Sequence, residues 1–153
     1  MAFVGLAPRL HCRGLRVRCC SLEGSNDKKA KVEEAIFALR TDLPRQYDAV
    51  FSLDFSIFAD DVTFDDPWTK IRGKLNYRGM LYTLAAIKAV FFSDAVFDLS
   101  SCELAEDDTK IRTRWLTKGR LRLIDREISL SGTDYFHLDD EGQIVRHESL
   151  WDS

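Results

Sequence analysis

Apolar residues first recur at helical spacing in Val32, Ile36, Leu39 and Leu43. Ser25-Asn26-Asp27 stand ahead of them as capping residues, with Glu33 and Glu34 near the start, so the spacing predicts a helix beginning near Asp27. Pro44 cannot continue that helix but suits the first turn of another. Tyr47, Phe51, Phe55 and Phe58 follow at near-helical intervals and predict a second helix with an aromatic seam. The pattern then alternates through Val62-Thr63-Phe64-Asp65-Asp66 and stops at Pro67, which predicts a short strand. A third helix is expected over 74–92, with Tyr77, Leu81, Leu84, Ile87 and Phe91 on one face. Beyond it the period falls to two and stays there. Residues 96–104, 110–121, 127–138 and 144–151 read as four long strands separated by acidic or basic turns. Helices followed by a run of strands indicate an α+β fold, with helices over one face of an antiparallel sheet.

Strand alternation assigns faces. Ile111, Thr113, Trp115 and Thr117 point one way, while Lys110, Arg112, Arg114 and Lys118 point the other. In the next strand Asp134 shares a face with Ile128, Leu130, Gly132, Phe136 and Leu138, a carboxylate among apolar neighbours. In the last strand His147 is read as inward, because it lies between Val145 and Trp151 on one face. Val62, Phe64 and Asp66 share a face of the short strand, which sets Asp66 at the rim of whatever the sheet encloses. A bent sheet with helices across its concave face leaves a conical cavity, a natural small-molecule site. Its candidate polar groups are Asp66, Asp134, His147 and the indoles of Trp68 and Trp115; Tyr47, Phe51, Phe55 and Phe64 are candidate walls.

Composition bounds the reading without supplying a reaction. With 153 residues, 45% hydrophobic, and only 8 Gly and 3 Pro, the chain suits one core and excludes collagen-like, low-complexity and tandem-domain architectures. No apolar stretch approaches the roughly 20 residues of a membrane-spanning helix. Charge is uneven: Arg9, Arg13, Arg16 and Arg18 precede the first acid, Glu23, so the net −3 of the chain divides into a cationic leader and an acidic remainder. An arginine-bearing, acid-free start reads as an organelle transit peptide over 1–26, plastid before mitochondrion, followed by one domain over 27–153. Cys12, Cys19 and Cys20 lie in that leader without structural-zinc spacing, and Cys102 reads as a buried small hydrophobe. No metal or cofactor is expected. An acidic domain whose basic strand face lacks interleaved aromatics argues against nucleic-acid binding. The outward series Lys110, Arg112, Arg114, Lys118, Arg120 and Arg122 would suit an acidic partner or anionic headgroups, or simply a solvated sheet face.

The segment Phe58-Ala59-Asp60-Asp61-Val62-Thr63-Phe64-Asp65-Asp66-Pro67, then Gly73 and a helix, then strands ending in Gly142, His147 and Trp151, resembles the nuclear transport factor 2-like superfamily over roughly residues 28–152. Scytalone dehydratase, ketosteroid isomerase and the SnoaL-like polyketide cyclases belong to it. With its leader, the chain is similar to an uncharacterised plant and algal chloroplast family within that superfamily. The resemblance implies a cone-shaped α+β domain and pairing of two copies through the exposed sheet face. Likeness to ketosteroid isomerase implies Asp66, the acid before Pro, as general base, and Asp134 of Asp134-Tyr135-Phe136 as hydrogen-bond donor. The oxyanion-hole tyrosine of that pattern is missing, since the first helix offers Phe37 and Leu39. Tyr47 would have to replace it. The expected function is therefore binding of a small apolar or amphipathic molecule without turnover. The alternatives are an isomerase or cyclase using Asp66, Asp134 and His147, and an interaction module using the outer sheet face.

Overall fold

A computed structural model describes residues 20–152, with side chains from residue 26. The leader expected over 1–26 lies mostly outside the described residues. Helix α1, Cys20–Asp42, begins ahead of the expected start, so Ser25-Asn26-Asp27 lie within it rather than capping it. Such residues cost a helix interior only about 0.5 kcal/mol each, too little to stop a helix already propagating. Val32, Ala35, Ala38 and Leu39 form its buried face.

The expected aromatic helix over Tyr47–Phe58 is not formed. Two short 3-10 turns, Leu43–Arg45 and Val50–Ser52, replace it, and Leu53 is already extended. Local polar competition explains the difference. The Asp42 carboxylate accepts the Asp54 backbone N–H at 2.7 Å, and Asp54 in turn accepts the N–H and hydroxyl of Ser56. Short acidic side chains that capture backbone donors favour turns over helix. Phe58, the last residue of the supposed seam, opens strand β1, Phe58–Asp65.

After β1 the chain makes a short hairpin partner, β2 (Lys70–Arg72), and then helix α2 (Lys74–Phe91), whose expected limits agree within one residue. Strands β3 (Phe92–Leu104), β4 (Lys110–Leu121), β5 (Arg126–Leu138) and β6 (Ile144–Trp151) form the expected antiparallel meander. The sheet order is β2-β1-β6-β5-β4-β3, and β1 runs parallel to β6. Register shifts interrupt β3 twice and recur between β1 and β6 and between β5 and β6. Such bulges bend strands and increase twist, which lets the sheet curl around its helices. α2 packs on β1 and β3, and α1 packs on β3. Ile111, Phe136, Ile144 and Val62 are wholly buried beneath them.

Face assignment follows the alternation. Ile111, Thr113, Trp115, Asp134, Phe136 and His147 point inward. The β6 face begins at Ile144 rather than Val145, because the register shift beside Leu138 rotates the strand start. Gly132 lies opposite Trp115 on one side and Trp151 on the other. A Cβ there would meet Trp115 Cζ2 and the Leu150 carbonyl oxygen, each at 2.5 Å, so only glycine lets the Trp115 indole lie across the sheet. Gly132→Ala should therefore cost about 1–3 kcal/mol by overpacking, read as a drop of several degrees in the thermal midpoint. An unchanged midpoint would show that the indole has another seat.

Candidate functional site

The narrow interior of the cone holds a connected set of polar side chains, each from a separate position in the fold. Asp134 on β5 is nearly fully buried; its Oδ1 accepts the Trp115 indole N–H from β4 at 2.8 Å and the Ser149 hydroxyl from β6 at 2.6 Å. Asp134 Oδ2 lies 3.2 Å from His147 Nε2, although out of line with a well-formed hydrogen bond. His147 Nδ1 is 2.8 Å from the hydroxyl of Tyr77 on α2. The tautomer with its ring proton on Nε2, beside the carboxylate, is the one in which Nδ1 accepts from the Tyr77 hydroxyl. Aromatic rings enclose this set: His147 stacks on Phe136 at 4.2 Å and meets the edge of Phe64 at 4.9 Å.

Burial opposes charge on Asp134, but His147 and the donors Ser149 and Trp115 outweigh it and hold the carboxyl below its ordinary value. Asp134 is thus an ionised acceptor rather than the hydrogen-bond donor that the ketosteroid isomerase pattern implies. Burial, reinforced by Asp134, pushes the Tyr77 phenol well above its usual range.

Asp66 lies elsewhere. It sits at the β1–β2 turn, where its Oδ1 accepts the backbone N–H groups of Trp68 and Thr69 at 2.8 and 2.6 Å. Trp68 is 76% exposed and meets the edge of Trp151; Phe51 is 84% exposed and lies on Tyr82. Phe55 packs on Phe58 and Tyr77 beneath the Arg78 guanidinium, and Phe64 is core. Among the expected polar groups the fold joins Asp134, His147 and Trp115, and it separates them from Asp66 and Trp68. Tyr77 and Ser149 complete the set. The signals that could have found them are strand alternation through His147 and Trp151, which includes Ser149, and the need of a buried Tyr hydroxyl for a partner.

A cavity of about 180 Å³ lies toward the wide end, between α2 and the inner face of β3–β5. Leu84, Ile87, Phe92, Ala95, Ile128 and Leu130 make most of its wall, with Tyr47, Thr117, Lys88 and Trp151 as its polar-bearing residues. Of the expected wall residues only Tyr47 lines it. Burial raises the Tyr47 phenol, with the nearby Thr117 hydroxyl acting the other way. Thr117 Oγ1 is itself buried without a hydrogen bond of good geometry among the described residues. The Lys88 ammonium at the mouth is paired with Asp48.

The outer sheet face is largely self-neutralised. Arg112 pairs with Glu103, Arg114 with Asp152, Arg120 with Asp125, and Arg146 with Asp65 and Glu148. Such pairing favours a solvated face over a basic platform for an acidic partner. Cys102 is buried, and burial pushes its thiol up, which leaves it a small hydrophobe.

The family model described as "Uncharacterized conserved protein (DUF2358)" matches residues 33–147. No curated protein matches the sequence. Solved structures share the fold. An NTF2-like protein of unknown function from Exiguobacterium sp. 255-15 is 20% identical, with 82% of this chain and 98% of that one covered at a TM-score of 0.52. A protein with a ketosteroid isomerase-like fold from Catenulispora acidiphila, in complex with trimethylamine, is 12% identical, covering 75% and 85% at 0.57. A phenazine biosynthesis-related protein from Pseudomonas aeruginosa is 15% identical, covering 84% and 85% at 0.55. The architecture is thus that of the nuclear transport factor 2-like cone.

The charge on Asp134 carries a pH signature. Its folded value is depressed, so its stabilising contribution is complete above the unfolded carboxyl value near 3.9 and disappears as pH falls through the lower folded value. Asp134→Asn should flatten the acid limb of a stability-versus-pH curve and cost about 3 kcal/mol at neutral pH. Denaturant titrations across that range check both, and an unaltered acid limb would assign it to other carboxylates.

Proposed function

This chain belongs to the DUF2358 family of uncharacterised conserved proteins, and we propose that it binds a small apolar or amphipathic molecule without transforming it. The observation that carries the proposal is the apolar cavity with an unsatisfied hydroxyl, that of Thr117, in its wall. An unpaired buried hydroxyl costs about 1–3 kcal/mol, which a ligand offering one polar atom would recover. Its volume, about 180 Å³, exceeds the roughly 150 Å³ of an apolar cavity that holds benzene. Drug-sized pockets run to about 300–1,000 Å³, so the enclosed part of the ligand is a single ring or a short chain.

Binding is favoured over an isomerase- or cyclase-type reaction with Asp66 as base. Asp66 Oδ1 already accepts two backbone N–H groups, and Asp134 and His147 do not line the cavity. Their hydrogen bonds are spent on Tyr77, Trp115 and Ser149. A heteronuclear NMR titration with indole as probe should shift resonances of Leu84, Ile87, Ala95 and Thr117. Thr117→Val, which removes that unpaired hydroxyl, should raise the thermal midpoint by a few degrees and weaken indole about fivefold, one neutral hydrogen bond. Leu84→Trp, which fills the space, should abolish the shifts. Indole binding that survives in Leu84→Trp would reject this cavity as the site.

The proposal includes delivery to a plastid, with the mitochondrion as alternative address, and a place in the plant and algal chloroplast lineage. Its support is the acid-free run carrying Arg9, Arg13, Arg16 and Arg18. Full-length protein with a C-terminal fluorescent tag should collect in plastids of a plant cell. The same protein with those four arginines changed to Gln should remain in the cytosol, and identical distributions would remove the targeting role.

A further inference from the structure

The hairpin joining β4 to β5 turns through Arg122-Leu123-Ile124-Asp125. Tips of this kind are ordinarily built from Gly, Asn, Asp, Pro and Ser, whose backbone habits suit the turn and whose side chains suit water. Asp125, at φ +49°, meets the backbone requirement. Leu123 and Ile124 meet no such requirement, and they are 86% and 64% exposed. The Arg122 backbone N–H donates to the Phe91 carbonyl at 3.0 Å and its Nε to the Phe92 carbonyl at 2.8 Å, fastening the tip to the end of α2. There Val90 and Phe91 are also exposed, and Ile87, about one helical turn back, forms the lip of the cavity. Apolar side chains from two elements thus gather at one end of the molecule.

Charges of both signs surround them, with cations in slight excess over Asp94, Asp125 and Glu127. Arg122 and Arg126 bracket the tip in sequence, and Lys118 lies further down β4; among the described residues none of the three is in an ion pair. Arg120 is matched by Asp125, and Glu127 faces Arg120 across the ladder. Further along the same outer face of β4, Arg112 and Arg114 are matched.

We propose that this end of the protein docks on a bilayer surface bearing anionic headgroups. Leu123 and Ile124 enter the boundary between headgroups and acyl chains, Val90 and Phe91 rest on it, and Lys118, Arg122 and Arg126 face the headgroups. A protein partner fits less well. A projecting tip of a few side chains buries far less than the roughly 800 Å² per partner of a stable protein interface. A bilayer moulds itself to a convex tip and requires only a few apolar side chains with cations beside them. No helix among the described residues is long and apolar enough to cross a membrane. Docking does not depend on what fills the cavity.

Flotation of the full-length protein with vesicles of phosphatidylcholine, alone or mixed with phosphatidylglycerol, tests this. Binding should be strong only with the anionic lipid and should fall with added salt. Leu123→Ser with Ile124→Ser should weaken it at least about tenfold at an unchanged thermal midpoint. Lys118→Gln with Arg126→Gln should weaken it about fivefold per residue. Leu84→Trp should bind vesicles as the parent does, which separates this proposal from the cavity. Equal binding by parent and both tip variants would assign attraction to the arginines of the leader and overturn the proposal. So would a dimer, seen by ultracentrifugation without lipid, that Leu123→Ser with Ile124→Ser dissociates, since the tip would then meet a second copy.

Discussion

The buried carboxylate of Asp134 is the constraint around which this cone is arranged. A charge taken from water is tolerated only where donors replace the lost solvation. Here the donors come from β4 as Trp115 and from β6 as Ser149, with the His147 imidazole beside the carboxylate and Tyr77 of α2 holding that ring. A one-residue slip of β4 or β6 against β5 would turn those donors to the outer face and leave the carboxylate bare. The polar set therefore fixes register across three strands and seats α2 on the sheet, which a wholly apolar core would specify less strictly.

The position of the cavity follows from that arrangement. Rings of Phe58, Phe64, Phe136, Trp115 and His147 pack around Asp134 and Tyr77, so the narrow part of the cone is occupied by protein. Space remains toward the wide end, where α2 diverges from the strands and smaller residues, Ala95, Thr117 and Gly119, line the wall. The interior carboxylate of Asp134 accepts from Trp115 and Ser149, and an apolar recess is left toward the other end. Fold alone does not transfer a reaction; the groups facing the open space decide what can happen there.

Charge is divided in a similar way. Most strand arginines on the outer face hold acids of neighbouring strands, while the unmatched cations stand near the β4–β5 tip beside exposed leucine and isoleucine. Counting basic residues along β4 in sequence merges these two groups. Spatial neighbours separate them: Glu103 meets Arg112 across the β3–β4 hairpin, and Asp152 reaches Arg114 from 38 residues away in the chain.

The sequence by itself determined what depends on periodicity and on short-range chemistry. Helix α2, the four-strand meander and the inward aim of Trp115, Asp134 and His147 were legible because side-chain direction repeats every 3.6 or 2 residues once an element forms. The same logic misread Tyr47–Phe58, where aromatic spacing suggested a helix but Asp42 and Asp54 captured backbone donors and β6 captured Phe58 as a strand partner. Asp66, on the same alternating face as Phe64, seemed to border the cone; the turn that ends β1 holds its Oδ1 instead. Only the tertiary structure decided which inward residues meet, which of them fill space and where space is left over. Those outcomes rest on side chains from α2, β4, β5 and β6 competing for one volume, and no local spacing along the chain encodes the result of that competition.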